Sequence, residues 1–597
     1  MYPVKAISNI IDWWGEKTPD APAVLSQHDL KISYRDLRRF TVETRSALAG
    51  NSLQPGDRIA IVLPNGHLMA MSFVAVSACA VSAPLNPAFR EEEFEFYLRD
   101  LRARALVTLK GFETPARRIA RQQGIPVLEI SDASGTPEWL NAPKPGDEAS
   151  NSLPFGDSKD ECLVLHTSGT TSRPKLVPLT HANVCSSAAN VAESLCLTDA
   201  DLCLNVMPLF HIHGLIAALM SSLSSGGAVL CTGGFDAACF SGWLEAFRPT
   251  WYTSVPTIHQ AILSGPAAGA GGELKTSLRL IRSSSASLAP RVMEQLESVF
   301  QVPVIEAYGM TEAAHQICSN PLPPHARKPG SVGRAAGPEI GILDDQGNIR
   351  APGEVGEIAI RGNNVTPGYD RNPEANQAAF CHGWFRTGDQ GRIDQDGYLF
   401  ITGRIKEMIN RGGENVSPRE IDDVLLECPG VAQAVSFSVP HERLGEDVAA
   451  AVVLAPGEAA TESQLRDFAL SNLAPHKVPS QIVFVDQIPK GPTGKIQRIG
   501  LHDKLAAQMK AEYCAPEGPV ECALMEVWQE VLQDDVAGTG DNFFFLGGDS
   551  LMATQVATRV RAMFGVELPV QEIFRSPTIQ AQAVQVELLI LEQVEHE

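Results

Sequence analysis

The stretch LVLHTSGTTSRPK, from Leu163 to Lys175, is an apolar run that breaks into a loop dense in Gly, Ser and Thr and closed by a lysine. Such a loop can turn backbone N–H groups and hydroxyls toward phosphate oxygens, with the lysine as a point charge. It is not G-x-x-x-x-G-K-[ST], so the nucleotide loop of kinases and GTPases does not apply. A polar surface turn would carry the same residues, and the flanking sequence has to decide between the two.

On both sides, short apolar runs alternate with helix-length segments: RIAIVLP from Arg58, CLVLH from Cys162, LCLNVM from Leu202 and GAVLC from Gly227. That alternation predicts an α/β region built on mainly parallel sheets. The apolar stretch Leu68 to Val81 is too short to span a bilayer and reads as a core helix. Between Gly330 and Gly403 short strands broken by Asp-Gly and Gln-Gly turns predict a small β-rich unit, a distorted barrel or meander. After Gly403 a smaller α+β unit begins, with Ser417 as N-cap, Pro418 at N1 and Glu420 at N3 of a helix. The segment AEYCAPEGP, Ala511 to Pro519, reads as a linker, and the remainder as a helical bundle.

The 597 residues leave room for three to five folding units, and 44% hydrophobic with 20% charged residues is a globular profile. A net charge of -22 argues against nucleic acid and acidic membranes as partners. Half of that charge falls after Pro516, where 14 Asp and Glu face 3 Arg. The 12 cysteines form no C-x-x-C pair and read as reduced, mostly buried thiols. The first twenty residues carry no uninterrupted apolar core of a secretory signal, so a cytoplasmic location is expected.

The loop has company. Thr167 to Lys175, YGMTE from Tyr308, RTGD from Arg386, Gly403-Arg404 and PTGK from Pro492 occur in an order and spacing that resemble the adenylate-forming superfamily: acyl-CoA synthetases, luciferases and peptide-synthetase adenylation domains. The resemblance covers roughly residues 10 to 505. It implies attack of a carboxylate on the α-phosphate of ATP, giving acyl-AMP, at a site where donors and cations converge on developing charge. It implies that Thr167, Ser168, Gly169, Thr170, Thr171 and Lys175 hold the β- and γ-phosphates, that Thr311 touches the α-phosphate and that Glu312 holds Mg²⁺. Tyr308 would stack on adenine beside Ser284, Ser285 and Ala286, Asp389 and Arg404 would take the ribose, and Lys495 would bridge the carboxylate and the α-phosphate. Lys406 falls at the hinge about which the smaller domain rotates between half-reactions. Leu176 stands where glycine is usual and is expected to shift the outgoing strand, and Ser172 replaces another glycine.

Amino-acid-activating members place an Asp in a segment that here corresponds to PLFHIHG, with His211 in its place, so an α-ammonium would be left without a counter-ion. The wording around MPLFHIHGL and RSSSASLAP is most similar to the oxalate-CoA ligase branch, and implies that His211, Ser285 and His315 bind the distal carboxylate of a small dicarboxylic acid, the histidines most strongly when protonated. His211 and His213 stand at i, i+2, but no third zinc ligand accompanies them. Finally, DNFFFLGGDS, ending at Ser550, resembles the carrier domains of peptide synthetases, with Met552, Val556, Val560 and Met563 at helical spacing behind it. Ser550 would then carry a 4'-phosphopantetheine arm that takes the acyl group as a thioester.

The expected organisation is therefore an N-terminal adenylation subdomain over 1–403, a mobile α+β subdomain over 404–510, a linker over 511–519 and a four-helix carrier over 520–597. ATP, Mg²⁺ and phosphopantetheine are the implied cofactors. The implied partners are a small carboxylic acid, a phosphopantetheinyl transferase and downstream condensation, tailoring or release enzymes. Two alternatives remain: an amino-acid-activating adenylation-carrier protein, and a free acyl-CoA ligase whose carrier serves another enzyme.

Overall fold

The computed structural model describes residues 5–132, 137–140, 152–167, 174–265, 276–441, 444–489, 498–506, 508–509, 514–533, 538–544, 546, 548 and 550–596. Two compact units are present. The first runs to Thr387 and resumes over Gly391–Ile401; the second takes Gly388–Gln390 and the chain from Thr402 onward.

The first unit is organised by two mainly parallel sheets. In one, Arg58–Val62, Val81–Pro84, Ala105–Leu109 and Val127–Ser131 run parallel, and Glu161–His166 joins them before returning antiparallel as Leu176–Thr180. In the other, Leu202–Asn205, Ala228–Cys231, Trp251–Ser254, Leu280–Ser283 and Val304–Met310 are parallel, and His315–Ser319 turns back along the last of these. Arg58–Val62 and Ala228–Cys231 read as near-continuous apolar runs because both faces are buried, whereas Trp251–Ser254 and Leu280–Ser283 are equally buried but carry Thr, Ser and Arg282 toward their ends. The run from Leu68 divides: His67–Ser77 is a helix buried nearly all round, and a strand starts at Val81. The β-rich unit is a five-stranded sheet of Glu339–Leu343, Gly356–Arg361, Phe380–Cys381, Trp384–Ile393 and Leu399–Arg404.

In the second unit, Val431–His441 and Gly445–Leu454 form a long antiparallel pair extended by Ile409–Arg411 and Gln481–Phe484, and the helix Pro418–Glu427 lies in the same core. Pro418 does open that helix, but Ser417 does not cap it. Its hydroxyl donates instead to the Thr402 carbonyl. Farther on, Pro519–Leu532, Ser550–Phe564, Val570–Arg575 and Ile579–His596 pack as helices around Trp528, Phe543, Val556, Val560 and Val586. The stripe expected behind Ser550 is rotated: Ala553 is fully buried, whereas Met563 is half exposed. Seven of the 12 cysteines are buried and none is in a disulfide; Cys196, Cys239, Cys514 and Cys522 are exposed.

Candidate functional site

Strands Glu161–His166 and Leu176–Thr180 form a hairpin whose register pairs His166 with Leu176. Its mouth is closed by Thr167 N–H donating to the Lys175 carbonyl at 2.8 Å and Lys175 N–H donating to Thr167 Oγ1 at 3.2 Å. Leu176 does not displace the strand. It is buried, keeps the register, and its carbonyl accepts from Asp370 N–H at 2.9 Å. Ser168, Gly169, Thr170 and Thr171 lie outside the described residues, as does Ser172.

The second element is the turn after Val304–Met310. Tyr308 is largely buried on that strand, Thr311–Ala313 makes one 3-10 turn, and Ala314 and His315 take positive φ of 47° and 100° to reverse the chain. Gly309 is required at this reversal, because a Cβ there would sit 1.7 Å from the His315 carbonyl oxygen. Glu312 is 7% exposed, and its carbonyl accepts from Thr366 N–H at 2.7 Å.

The residue joining these elements is Tyr369, which the motif reading missed. Its hydroxyl donates to Glu312 Oε1 at 2.9 Å, and its ring centroid lies 4.3 Å from Lys175 Nζ. Burial, reinforced by the neighbouring Glu312 charge, holds the phenol well above its ordinary pKa, so it stays a donor. One side chain thus contacts both the Lys175 ammonium and the Glu312 carboxylate. The signal available in sequence was a lone Gly-Tyr-Asp following a turn.

The third element is a buried polar network at the strand ends of the second sheet. Arg282 is fully buried, donates from NH2 to Gln316 Oε1 at 2.9 Å and to His315 Nε2 at 3.1 Å, and from NH1 to Thr253 Oγ1 at 3.3 Å. His213 Nε2 is hydrogen-bonded to Thr253 Oγ1 at 2.6 Å, and its Nδ1 to Ser285 Oγ at 3.1 Å; the His213 and His315 rings lie 5.0 Å apart. Burial pushes the Arg282 guanidinium down to about 9, which still leaves it a cation at neutral pH. No carboxylate among the described residues pairs with it, its Nε has no hydrogen-bond partner, and the neighbouring Ser283 and Ser284 hydroxyls are also without partners.

A guanidinium has no acceptor, so His315 Nε2 accepts from Arg282 in this network. The histidine bonded to Ser285 is His213, and His211, two residues earlier, accepts at Nδ1 from His213 N–H at 3.3 Å. The helix opening at His213 is wide, with π-type bonding, a form frequent at functional sites. Gly214 permits it, since a Cβ would meet the Pro208 carbonyl at 2.4 Å. Ser285 sits at φ 74°, a strained value for a residue with a side chain, and Ala286 is exposed beside it.

In the second unit, Asp389 is 6% exposed and accepts from Arg404 Nε at 3.1 Å, which joins the two expected ribose contacts. Lys406 is exposed in a single 3-10 turn, Ile405–Glu407. Ser550 is the first residue of its helix. Lys495 lies outside the described residues.

Residues 11–370, more than half the chain, match the AMP-binding enzyme family. The chain belongs to that family. Residues 420–495 match the AMP-binding enzyme C-terminal domain, and residues 522–583 the phosphopantetheine attachment site. The chain is 44% identical over 511 residues to the oxalate–CoA ligase of Arabidopsis thaliana, covering 82% of this chain and 97% of that one. It is 40% identical over 508 residues to the oxalate–CoA ligase of Saccharomyces cerevisiae, covering 80% and 93%. The ATP-bound structure of MatB from Rhodopseudomonas palustris superposes with a TM-score of 0.76 at 28% identity, covering 84% of this chain and all of the other. This AMP-binding enzyme is thus an AMP-forming acid–thiol ligase that binds ATP, with a phosphopantetheine attachment domain appended. No helix among the described residues is long and apolar enough to cross a membrane.

Proposed function

We propose that the enzyme activates a small carboxylic acid lacking an α-amine, oxalate or another short dicarboxylic acid, and hands it to a thiol carried on Ser550 of its own chain. The observation that carries the acid assignment is Arg282. A buried cation without a counter-ion is unfavourable, and the side chains bonded to it, Gln316, Thr253 and His315, carry no negative charge. A substrate carboxylate would supply the missing charge; an α-ammonium would add to the imbalance. His211, Ser285 and His315 belong to this acid site in the reading, with His213 and Arg282 added to them. That two relatives are oxalate–CoA ligases supports the same choice.

For the nucleotide, Thr167 to Thr171 and Lys175 would take the β- and γ-phosphates, Thr311 the α-phosphate, Tyr308 with Ser284 to Ala286 the adenine, and Asp389 with Arg404 the ribose. Lys495 would neutralise charge at the reacting phosphate, and Lys406 would serve as hinge. Glu312 fits a Mg²⁺ ligand: it is a carboxylate held in place by the Tyr369 hydroxyl, and carboxylate oxygen suits a hard cation. A bound Mg²⁺ would neutralise phosphate charge. The arm on Ser550 would supply the accepting thiol at high effective concentration. The match to the Arabidopsis relative accounts for 97% of that protein, leaving no room in it for a carrier of this kind, and this favours self-loading here over release to free CoA. The functional division follows as 1–403, 404–510, a linker at 511–519 and the carrier over 520–597, with a phosphopantetheinyl transferase and downstream enzymes as partners and a cytoplasmic setting.

The test is ATP–pyrophosphate exchange against oxalate, other short diacids, short monoacids, aryl acids and amino acids. Exchange with short diacids is expected, falling about a hundredfold in kcat/KM for Arg282→Met, as for other charge pairs broken in buried sites. Exchange with amino acids alone would overturn the acid assignment.

A further inference from the structure

The geometry points to the last helix of the carrier, Ile579–His596, as a docking face for a basic amphipathic helix of a partner protein. One side of this helix is already used. Ile579, Gln582, Ala583 and Val586 are buried in the carrier core, and Gln582 accepts from Trp528 Nε1 at 3.0 Å. At about 100° per residue the opposite side presents Val584, Leu588 and Leu591, exposed by 52%, 49% and 61%, with Val594 at its margin exposed by 67%. A helix apolar on two opposite sides is ordinarily covered on both, and a contiguous exposed apolar stripe marks an interaction surface.

Charge selects the occupant. Glu587 and Glu592 are exposed and border the stripe on either side, and the helix contains no lysine or arginine. The three arginines of the carrier are engaged elsewhere: Arg559 with Glu530, Arg561 with Glu567 at 2.9 Å, and Arg575 with Asp467 at 3.0 Å. A second copy of this chain would bring Glu587 and Glu592 against their own equivalents, a like-charge arrangement that opposes pairing. A partner helix with leucines on one side and lysines or arginines flanking them satisfies both the apolar stripe and the acidic borders, the helix-in-groove mode with anchors at i, i+4 and i+7.

The experiment uses the full chain and two synthetic amphipathic helical peptides, one of leucine and lysine and the other of leucine and glutamate, followed by fluorescence anisotropy. The basic peptide is expected to bind at least about tenfold more tightly than the acidic one. Leu588→Ser with Leu591→Ser, which leaves net charge unchanged, should reduce that binding by about tenfold or more. Glu587→Lys with Glu592→Lys should reverse the preference. These positions are exposed, and an unchanged melting temperature shows that the variants are folded. The inference is overturned if the serine variant binds as the parent does, because the peptide is then on another acidic surface. It is also overturned if neither peptide binds, if both bind equally, or if the protein self-associates in solution and Leu588→Glu abolishes that, which makes a second copy the occupant.

Discussion

Tyr369→Phe isolates the single hydrogen bond between the Tyr369 hydroxyl and Glu312. The substitution keeps the ring 4.3 Å from Lys175 Nζ and removes only the hydroxyl that donates to Glu312 Oε1 at 2.9 Å. Hydrogen bonds to charged groups contribute about 1.5–3 kcal/mol net. Glu312 is only 7% exposed, so water replaces little of the lost bond and the loss should cost at least about 1.5 kcal/mol. At about 1.4 kcal/mol per tenfold, kcat/KM for ATP in pyrophosphate exchange should fall at least about tenfold. Tyr369→Leu removes the ring as well, and a partly exposed cation–π contact adds about 0.5–1 kcal/mol, a further two- to fivefold. Equilibrium ATP binding with and without Mg²⁺ separates the two effects. The phenylalanine variant should lose chiefly the Mg²⁺-dependent part, and the leucine variant should also lose affinity in its absence. A Phe variant within twofold of the parent at unchanged melting temperature would refute the positioning role, and equal losses for Phe and Leu would remove the ring from the argument.

Ser550→Ala should abolish attachment of the pantetheine arm, read by intact mass after treatment with a pantetheinyl transferase and CoA, while pyrophosphate exchange persists; loss of exchange would mean the carrier takes part in adenylation. Gly309→Ala forces a Cβ against the His315 carbonyl in the reversal that presents Thr311 and Glu312, so exchange should fall at least tenfold with about 1–3 kcal/mol of destabilisation in denaturant. Burial lowers the His181 pKa to about 4, and its Nδ1 accepts from Ile7 N–H at 3.2 Å. Between pH 6.5 and about 4 the unfolded chain binds a proton that the native state excludes, so stability falls as pH falls, by on the order of 3 kcal/mol across the window. Urea unfolding at pH 7 and pH 5 should show this slope in the parent and a shallower one in His181→Gln.

What the sequence determined by itself was local. The hairpin Glu161–Thr180 is closed by bonds between Thr167 and Lys175, and a strand that breaks into Gly, Ser and Thr before a lysine announces that closure from within a dozen residues. The alternation of buried runs with helices, the helix start at Pro418 and the helix that begins with Ser550 are legible for the same reason: propensity and periodicity act over a few turns of chain. Ser417 shows the limit of such signals, since a cap residue beside a competing carbonyl spends its hydroxyl on Thr402 instead.

The tertiary structure decided which side chains converge. Tyr369 reaches Glu312 across 57 residues of chain from a loop to a 3-10 turn, and Arg282 reaches His315 across 33 from a parallel strand to the start of the antiparallel strand His315–Ser319. Nothing in the string RSSSAS marks its arginine as buried without a counter-ion, and nothing in FHIHG tells which histidine faces Ser285. Burial and partnership are properties of the packed sheet; a pattern of neighbours along the chain carries neither.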